Sequence, residues 1–484
     1  MIHATRHYPK ALPFLFLTEM WERFGFYVVQ GMLVLYMTRA FGFSDDQSYI
    51  ISGAFTALAY ISPMIGGLIA DKILGFKVSI LWGGIFLSIG YALLAFAPNH
   101  EFYLALATII VGNGLFKPNI SSLLGALYPP GDTARDAGFT IFYVGINLGA
   151  FFAGISSGTI KDHFGWHAGF ALASVGLLIG LCTFALGLKW SPIRHKQHLS
   201  LANKYTFLHK PWLLAYCLLA IGLLSLLLQS SLLSKWLLPT LGIFLLFFVF
   251  ILAFRQDPVY RNRLILLNFL IIAAIVYWTF FLQIFFSANL FIDRLVDKHF
   301  LGINIPTTAF YSLESVFVIL LGPLFAWSWQ TLNQNKRNPS TFIKFVWAIV
   351  FVGLGFLTLA LSTFFSATTH MINPLWIVLS YLLITIGELL LSPIGLSAVT
   401  LLSPPQLTGM MMGIWFVALG FGGEFAGFLA ELASIPKTAT TAALQLPIYR
   451  NAFLNFSYIA FGVALGLFFL QLALSKTLDT DREK

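Results

Sequence analysis

The sequence predicts an all-α polytopic membrane protein of fourteen spanning helices, arranged as two six-helix bundles with an inserted two-helix hairpin. Three observations predict it. The 484 residues are 58% hydrophobic and only 10% charged, where a soluble chain carries roughly 25% charged residues. Apolar runs recur at about 20 residues, the length a helix needs to cross a hydrocarbon core of about 30 Å. Lys and Arg gather in the short connections between runs, as cytoplasmic loops require. That bias accounts for the net charge of +9 without invoking nucleic acid.

The runs place spans at roughly 13–38, 48–70, 77–97, 102–122, 138–160, 167–190, 211–231, 236–255, 263–288, 307–331, 341–366, 374–402, 408–432 and 450–474. An even number puts both termini on one side. Arg6, Lys10, Lys72, Lys77, Arg135, Lys189 and Arg194 all fall on the N-terminal side, which is therefore expected to be cytoplasmic, although Arg39, Lys161, Arg294 and Lys298 fall on the other. The segment SPIRHKQHLSLANKYTFLHK, from about 191 to 210, is the strongest interior break. The two spans after it are nearly pure Leu, Phe, Ile and Trp and read as a lipid-facing hairpin. The expected organisation is an N-terminal bundle over 1–190, a connection and hairpin over 191–262, and a C-terminal bundle over 263–484. The N-terminal MIHATRHYPKALPF runs into a charge-bearing helix, so no processed leader is expected. Cys182 and Cys217 lie in spans and read as packing residues. GxxxG pairs at Gly145/Gly149, Gly154/Gly158 and Gly423/Gly427 offer smooth helix surfaces.

Within the first span, TEMWERFGFYVVQ places Glu19, Glu22 and Arg23 at i, i+3 and i+4, on one helix face. Each costs about 2.5–3.5 kcal/mol in the bilayer unless it is paired or faces water. The three sum to −1, and Lys117 on another helix would neutralise them. Protonating a glutamate in such a network frees a cation and changes what a cavity binds, which is a proton-coupling device. The same residues also suit a permanently ionised network that only holds helices together. Tyr27 and Gln30 continue that face, and Tyr60, Asn147, Gln283 and Trp415 are further candidate cavity walls. Glu388 is a lone carboxylate in a long apolar helix, just before Ser392 and Pro393. No metal-ligand spacing, phosphate loop or nucleophile triad is visible, so neither metal nor cofactor nor enzyme chemistry is expected.

The loop GGLIADKILGFK, with Gly67, Asp71 and Lys77, resembles the signature loop of the major facilitator superfamily. EMWERF resembles the ExxERF motif of the proton-dependent oligopeptide transporter family. GNGLFKPNISSLLG, FTIFYVGINLGAF, GELLLSPIGLS and MMGIWF are similar to that family's fourth-, fifth-, tenth- and eleventh-helix motifs, in order. The extra hairpin resembles bacterial members. The resemblance covers nearly the whole chain. It implies the major facilitator fold and a proton-coupled symporter of di- and tripeptides working by alternating access. A related carrier of another small solute, such as an amino acid, an anion or a peptide-like drug, stands as the alternative. By the same resemblance Arg23 and Lys117 take the peptide carboxylate end, Glu388 takes the amino end, and Glu19 and Glu22 titrate. Small peptides, protons and membrane lipid are the implied partners of a monomer in the bacterial inner membrane.

Two departures stand out. The family usually has a carboxylate just before Gln283, and here that residue is Leu282. The family's eighth-helix SLNP has become Ser312-Leu313-Glu314-Ser315, so Glu314 stands in place of an asparagine. We expect Glu314 to take over the missing carboxylate's work, with a changed substrate preference or a lipid-shielded structural acid as the competing explanations. Gly53 stands where animal peptide transporters carry a proton-linked histidine, and Glu424 occupies a place usually uncharged.

Overall fold

The computed structural model describes residues 9–96, 101–129, 132, 134–190, 211–300, 302–366 and 370–478. In order it contains α1 (Leu12–Arg39), α2 (Asp45–Ile69) closed by a π turn over Ala70–Leu74, α3 (Phe76–Phe96), α4 (Phe102–Ala126) and α5 (Ala134–Trp190). Then come α6 (Pro211–Gln229), α7 (Ser231–Phe254), α8 (Pro258–Phe281), α9 (Ser287–Leu295) and a short hairpin, β1 (His299–Phe300) with β2 (Ile303–Asn304). The last five helices are α10 (Ser312–Gln334), α11 (Thr341–Ser362), α12 (Leu375–Leu402), α13 (Thr408–Glu431) and α14 (Ala442–Leu478). Among the described residues, eleven helices are long and apolar enough to cross a membrane. The chain is thus an integral membrane protein built of helices. The expected spans at 138–160 and 167–190 lie in one helical run of 57 residues, interrupted at Gly165, whose φ of 85° only glycine adopts easily. The basic segment 191–210 lies outside the described residues.

The chain forms two compact units. One comprises the described parts of Met1–Tyr36 and Leu58–Ser230, the other Met37–Ala57 and Ser231–Lys484. In the first, α3 packs along α4 and α5, and α6 lies against α4. Leu213, Cys217 and Ile221 of α6 are buried against Leu74, Phe86 and Leu115. In the second, α11 packs on α12 and α14, and α13 on α8 and α7. Only 28% of the apolar stretch of α6 and 22% of that of α7 is buried, against 61% for α3. Leu219, Leu223, Trp236, Phe244 and Phe247 point outward. Such surfaces need an apolar neighbour, as expected for helices that add no groove of their own.

Close backbone approach explains two glycines. Pro118 in α4 has no N–H to offer the Gly114 carbonyl four residues back. That carbonyl instead lies against α2, where a Cβ on Gly66 would come within 1.9 Å of it. In the second unit a Cβ on Gly53 would meet the Gly423 carbonyl and the Gly427 Cα, each at 3.2 Å. The backbone of α13 thus lies directly against α2 at Gly53.

The second unit also ties down the segment Met37–Ala57. Arg294 donates two bonds to Asp45, at 2.6 and 2.7 Å, and one to the Tyr449 hydroxyl at 3.0 Å. Asp45 further accepts the Ile435 N–H at 2.9 Å. Arg39 pairs with Asp293 at 2.5 Å. Removing one partner of a buried pair strands the other charge and costs about 3–5 kcal/mol. Arg294→Ala is accordingly expected to speed hydrogen exchange at the Ile435 amide by about two to four orders of magnitude. Unchanged protection there would show that the pair does not hold the segment.

Candidate functional site

The first cluster is built on α1 and α4. Glu19 and Glu22 are fully buried and Arg23 is 5% exposed. The guanidinium of Arg23 forks onto Glu22, with Nε and Nη2 each 2.6 Å from a carboxylate oxygen. Nη2 also donates to Asn113 Oδ1 at 2.9 Å, and Asn113 Nδ2 donates to the Ala59 carbonyl at 2.6 Å. Glu19 pairs with Lys117 and lies 3.8 Å from Arg23 Nε. The set holds two acids and two bases, so it is neutral as a whole. It is not fully satisfied, because Glu19 Oε2 is buried without a hydrogen-bond partner. An unpaired acceptor in a buried carboxylate is costly unless a proton or ligand reaches it. Lys117, with 26% of its side chain accessible, is the most open member of the set.

Aromatic rings wall this cluster. Arg23 sits 4.6 Å over the Phe26 ring, a cation–π contact. Phe26 meets Tyr27 and Tyr60 edge-on, at 6.0 and 6.5 Å between centroids. Gln30 is buried further along α1. Asn147 on α5 donates its amide to the Tyr143 carbonyl of its own helix at 3.0 Å. Asn113 and Phe26 were not singled out from sequence. Asn113 precedes Lys117 by four residues, so helical spacing alone puts it on the lysine's face.

The signature loop sits at the end of α2. A Cβ on Gly67 would clear Pro118 at an ordinary 3.7 Å, and Asp71 is exposed in the π turn. Gly75, at φ 77°, ends that turn and lets α3 start with Lys77 in its first turn.

The second cluster lies within the other unit. Glu388 on α12 is 7% exposed, and Glu314 in the first turn of α10 is half-buried. The two helices that carry them pack together. Ser315 Oγ donates to Glu314 Oε2 at 3.1 Å. Glu388 Oε2 is buried without a partner. Pro393 does not break α12, which runs on to Leu402. Tyr277, also unmarked by the sequence, donates its hydroxyl to the Ile384 carbonyl at 2.8 Å.

Gln283 and Trp415 have structural occupations. Gln283 Nε2 donates to the carbonyls of Ala426 and Thr279, at 2.8 and 3.2 Å, and Oε1 accepts from Ser287 Oγ at 2.5 Å. Both ends of the amide are engaged where α8 gives way to α9. Trp415 lies 6.2 Å from the Phe345 ring, on a spot of α12 where Gly395 has no Cβ to obstruct it. Glu424 is 2% exposed, with Oε2 unpartnered. The cavity of about 450 Å³ in the second unit is lined by Thr38, Arg39, Asp45, Arg294 and Lys437 among others, and by none of the residues singled out from sequence.

The geometry can be set beside known proteins. The model of the POT family matches residues 77–446. The chain is 35% identical over 477 residues to the peptide transporter YePEPT of Yersinia enterocolitica, covering 91% of this chain and 92% of that one. It is 34% identical over 472 residues to the dipeptide and tripeptide permease A of Proteus mirabilis, covering 97% and 95%. Among solved structures, that of a peptide transporter POT in complex with sulfate is similar with a TM-score of 0.84 and 31% identity, over 97% of this chain and 95% of that one. The tetrameric PepTSo2 is similar with a TM-score of 0.83 and 30% identity, over 96% and 98%. A family match over most of its length and full-length likeness to named permeases carry one conclusion: this chain is a transporter, not an enzyme, and belongs to the POT family.

Proposed function

We propose that the chain is a proton-coupled symporter that imports di- and tripeptides by alternating access. The observation that carries this reading is the buried set of Glu19, Glu22, Arg23 and Lys117, neutral as a whole yet short of one hydrogen-bond donor. A carrier that must bind a proton and a peptide carboxylate at linked sites needs such a set. Protonating a glutamate releases a cation, and the free cation binds the carboxylate end. Arg23 and Lys117 take that end. Glu388, with Glu314 and Asn147, takes the amino end. Glu19 and Glu22 titrate, and the inward proton gradient supplies the work. Relatives named as dipeptide and tripeptide permeases support the substrate class.

The same reading assigns fourteen spans, bundles over 1–190 and 263–484 with the hairpin between them, and both termini to the cytoplasmic side of a bacterial inner membrane. The test is peptide-dependent acidification inside liposomes. Wild type should acidify the lumen when dialanine is supplied outside. Glu22→Gln, which cannot carry the proton, should lose most of that signal. Equal acidification by both would remove Glu22 from coupling, and uptake of dialanine with no acidification at all would sink proton symport.

A further inference from the structure

We propose that Lys344 and Trp329 form a binding site for the phosphate group of an anionic membrane phospholipid, at the end of the second unit where α10 runs into α11. The inference is independent of the peptide reading above.

The sequence marks the place by what it lacks. From Ser315 to Gly387 it contains no aspartate or glutamate, yet Lys336, Arg337 and Lys344 fall close together within that stretch. α10 ends in a left-handed turn at Lys336, φ 54°, which the Arg337 N–H closes on the Leu332 carbonyl at 2.9 Å. Lys336 and Arg337 are exposed there. Lys344 of α11 is different, because only 7% of it is exposed. Among the described residues no carboxylate pairs with any of the three. The Lys344 ammonium lies 4.1 Å from the centroid of the Trp329 ring of α10. The ring face attracts a cation but offers its three N–H donors no lone pair. Trp329 Nε1, which can only donate, is itself buried without a partner. Gln471 of α14 gives its amide to Ser340 Oγ at 3.3 Å and makes no bond to Lys344.

A buried ammonium beside a buried indole N–H, with no acceptor for either, calls for an anion with more than one oxygen. A phosphate diester has a negative charge and two free oxygens, one for each donor, and such bonds are charge-assisted. The surroundings select a lipid. Lys344 is the fourth residue of α11 and Trp329 the sixth from the end of α10, so both lie within about 8 Å of their helix ends. In a membrane that is the depth where hydrocarbon gives way to headgroups and where tryptophan gathers. Further along α10, Leu320, Leu324 and Trp327 share one exposed face, and Trp347 of α11 is exposed as well. An acyl chain lying on that face keeps its phosphate at the level of Lys344. A lysine that meets lipid alone turns its head out to water. Lys344 holds its head against Trp329, where a buried charge needs a counter-charge. Lys336 and Arg337 add attraction to an anionic membrane surface.

The experiment is native mass spectrometry of the full-length protein in a neutral detergent. It is titrated with dioleoylphosphatidylglycerol or with dioleoylglycerol, which has the same tails and no phosphate, and the affinity of the first lipid bound is read. Wild type is expected to bind the phospholipid about tenfold or more tighter than dioleoylglycerol. Lys344→Met should erase most of that difference. Trp329→Phe keeps the ring and the lysine's charge but loses the N–H, and should weaken phospholipid binding about three- to tenfold. Lys437→Met removes one charge elsewhere in the unit and should bind the phospholipid as wild type does. Equal affinity of wild type for the two lipids would overturn the proposal. An equal loss in Lys437→Met and Lys344→Met would do the same, since it means general attraction to basic residues. Inorganic phosphate at the concentration of the lipid should not displace it, and displacement would assign the site to a free anion and rule the lipid out. Should Lys344→Met not fold, Trp329→Phe decides alone, and wild-type phospholipid affinity in that variant is fatal.

Discussion

Arg23→Ala is expected to reduce dialanine uptake in proteoliposomes to background. The guanidinium satisfies both oxygens of a fully buried Glu22, lies close to Glu19 and donates to Asn113. Removing it leaves carboxylates stranded out of water, which costs about 3–5 kcal/mol for a buried pair that loses one partner. It also removes a cation proposed to receive the peptide carboxylate. Arg23→Lys separates these effects. A lysine keeps the charge but is a single point donor and cannot form the fork onto Glu22 while reaching Asn113. It should recover part of the thermal stability and little of the uptake. Wild-type uptake by either variant would mean that the cluster only braces α1. A variant that is stable but inactive would locate the loss in binding or coupling.

Gly66→Ala should be nearly as damaging, though it removes no charge. Its new Cβ would lie 1.9 Å from the Gly114 carbonyl oxygen, well inside any real contact. The obstacle is backbone, so no side-chain rotation relieves it. Helices α2 and α4 must separate, and overpacking of this kind costs about 1–3 kcal/mol or more. The displaced helix carries Asn113 and Lys117 on either side of Gly114. A shift of about 1 Å there pulls Lys117 from Glu19 and Asn113 from Arg23, and misplacements of that size can cost about 100-fold in function. The expected outcome is a folded but weakened protein, with uptake falling further than its thermal stability. Gly67→Ala is the control, since that Cβ meets nothing closer than 3.7 Å. Equal behaviour of the two variants would refute the close-contact argument.

Much of the first cluster is legible in the sequence because it is local. Glu19, Glu22 and Arg23 share a face by helical spacing alone, whatever surrounds them. Asn113 was legible by the same rule from Lys117 and was missed because a lone asparagine in a helix carries no charge to draw notice. Gln283 shows the opposite case. Its place in a span marks it as a polar wall, yet its partners Ala426 and Ser287 are met only once α13 and α9 are in position. Trp415 is similar, since its ring rests where Gly395 leaves room on another helix. Gly53 reads as a missing histidine in the sequence and as a backbone contact in the fold.

The sequence by itself determined that the chain enters a membrane as a series of helices, and which few residues are too costly to leave in lipid. Both follow from free energies that each segment carries alone, namely the length of an apolar run and the cost of an unpaired charge. Only the tertiary structure decided which acid meets which base. Glu19 takes Lys117 while Glu22 takes Arg23. The Glu19–Lys117 pairing depends on α1 and α4 being brought together from distant parts of the chain, and it leaves Arg23 to its neighbour Glu22.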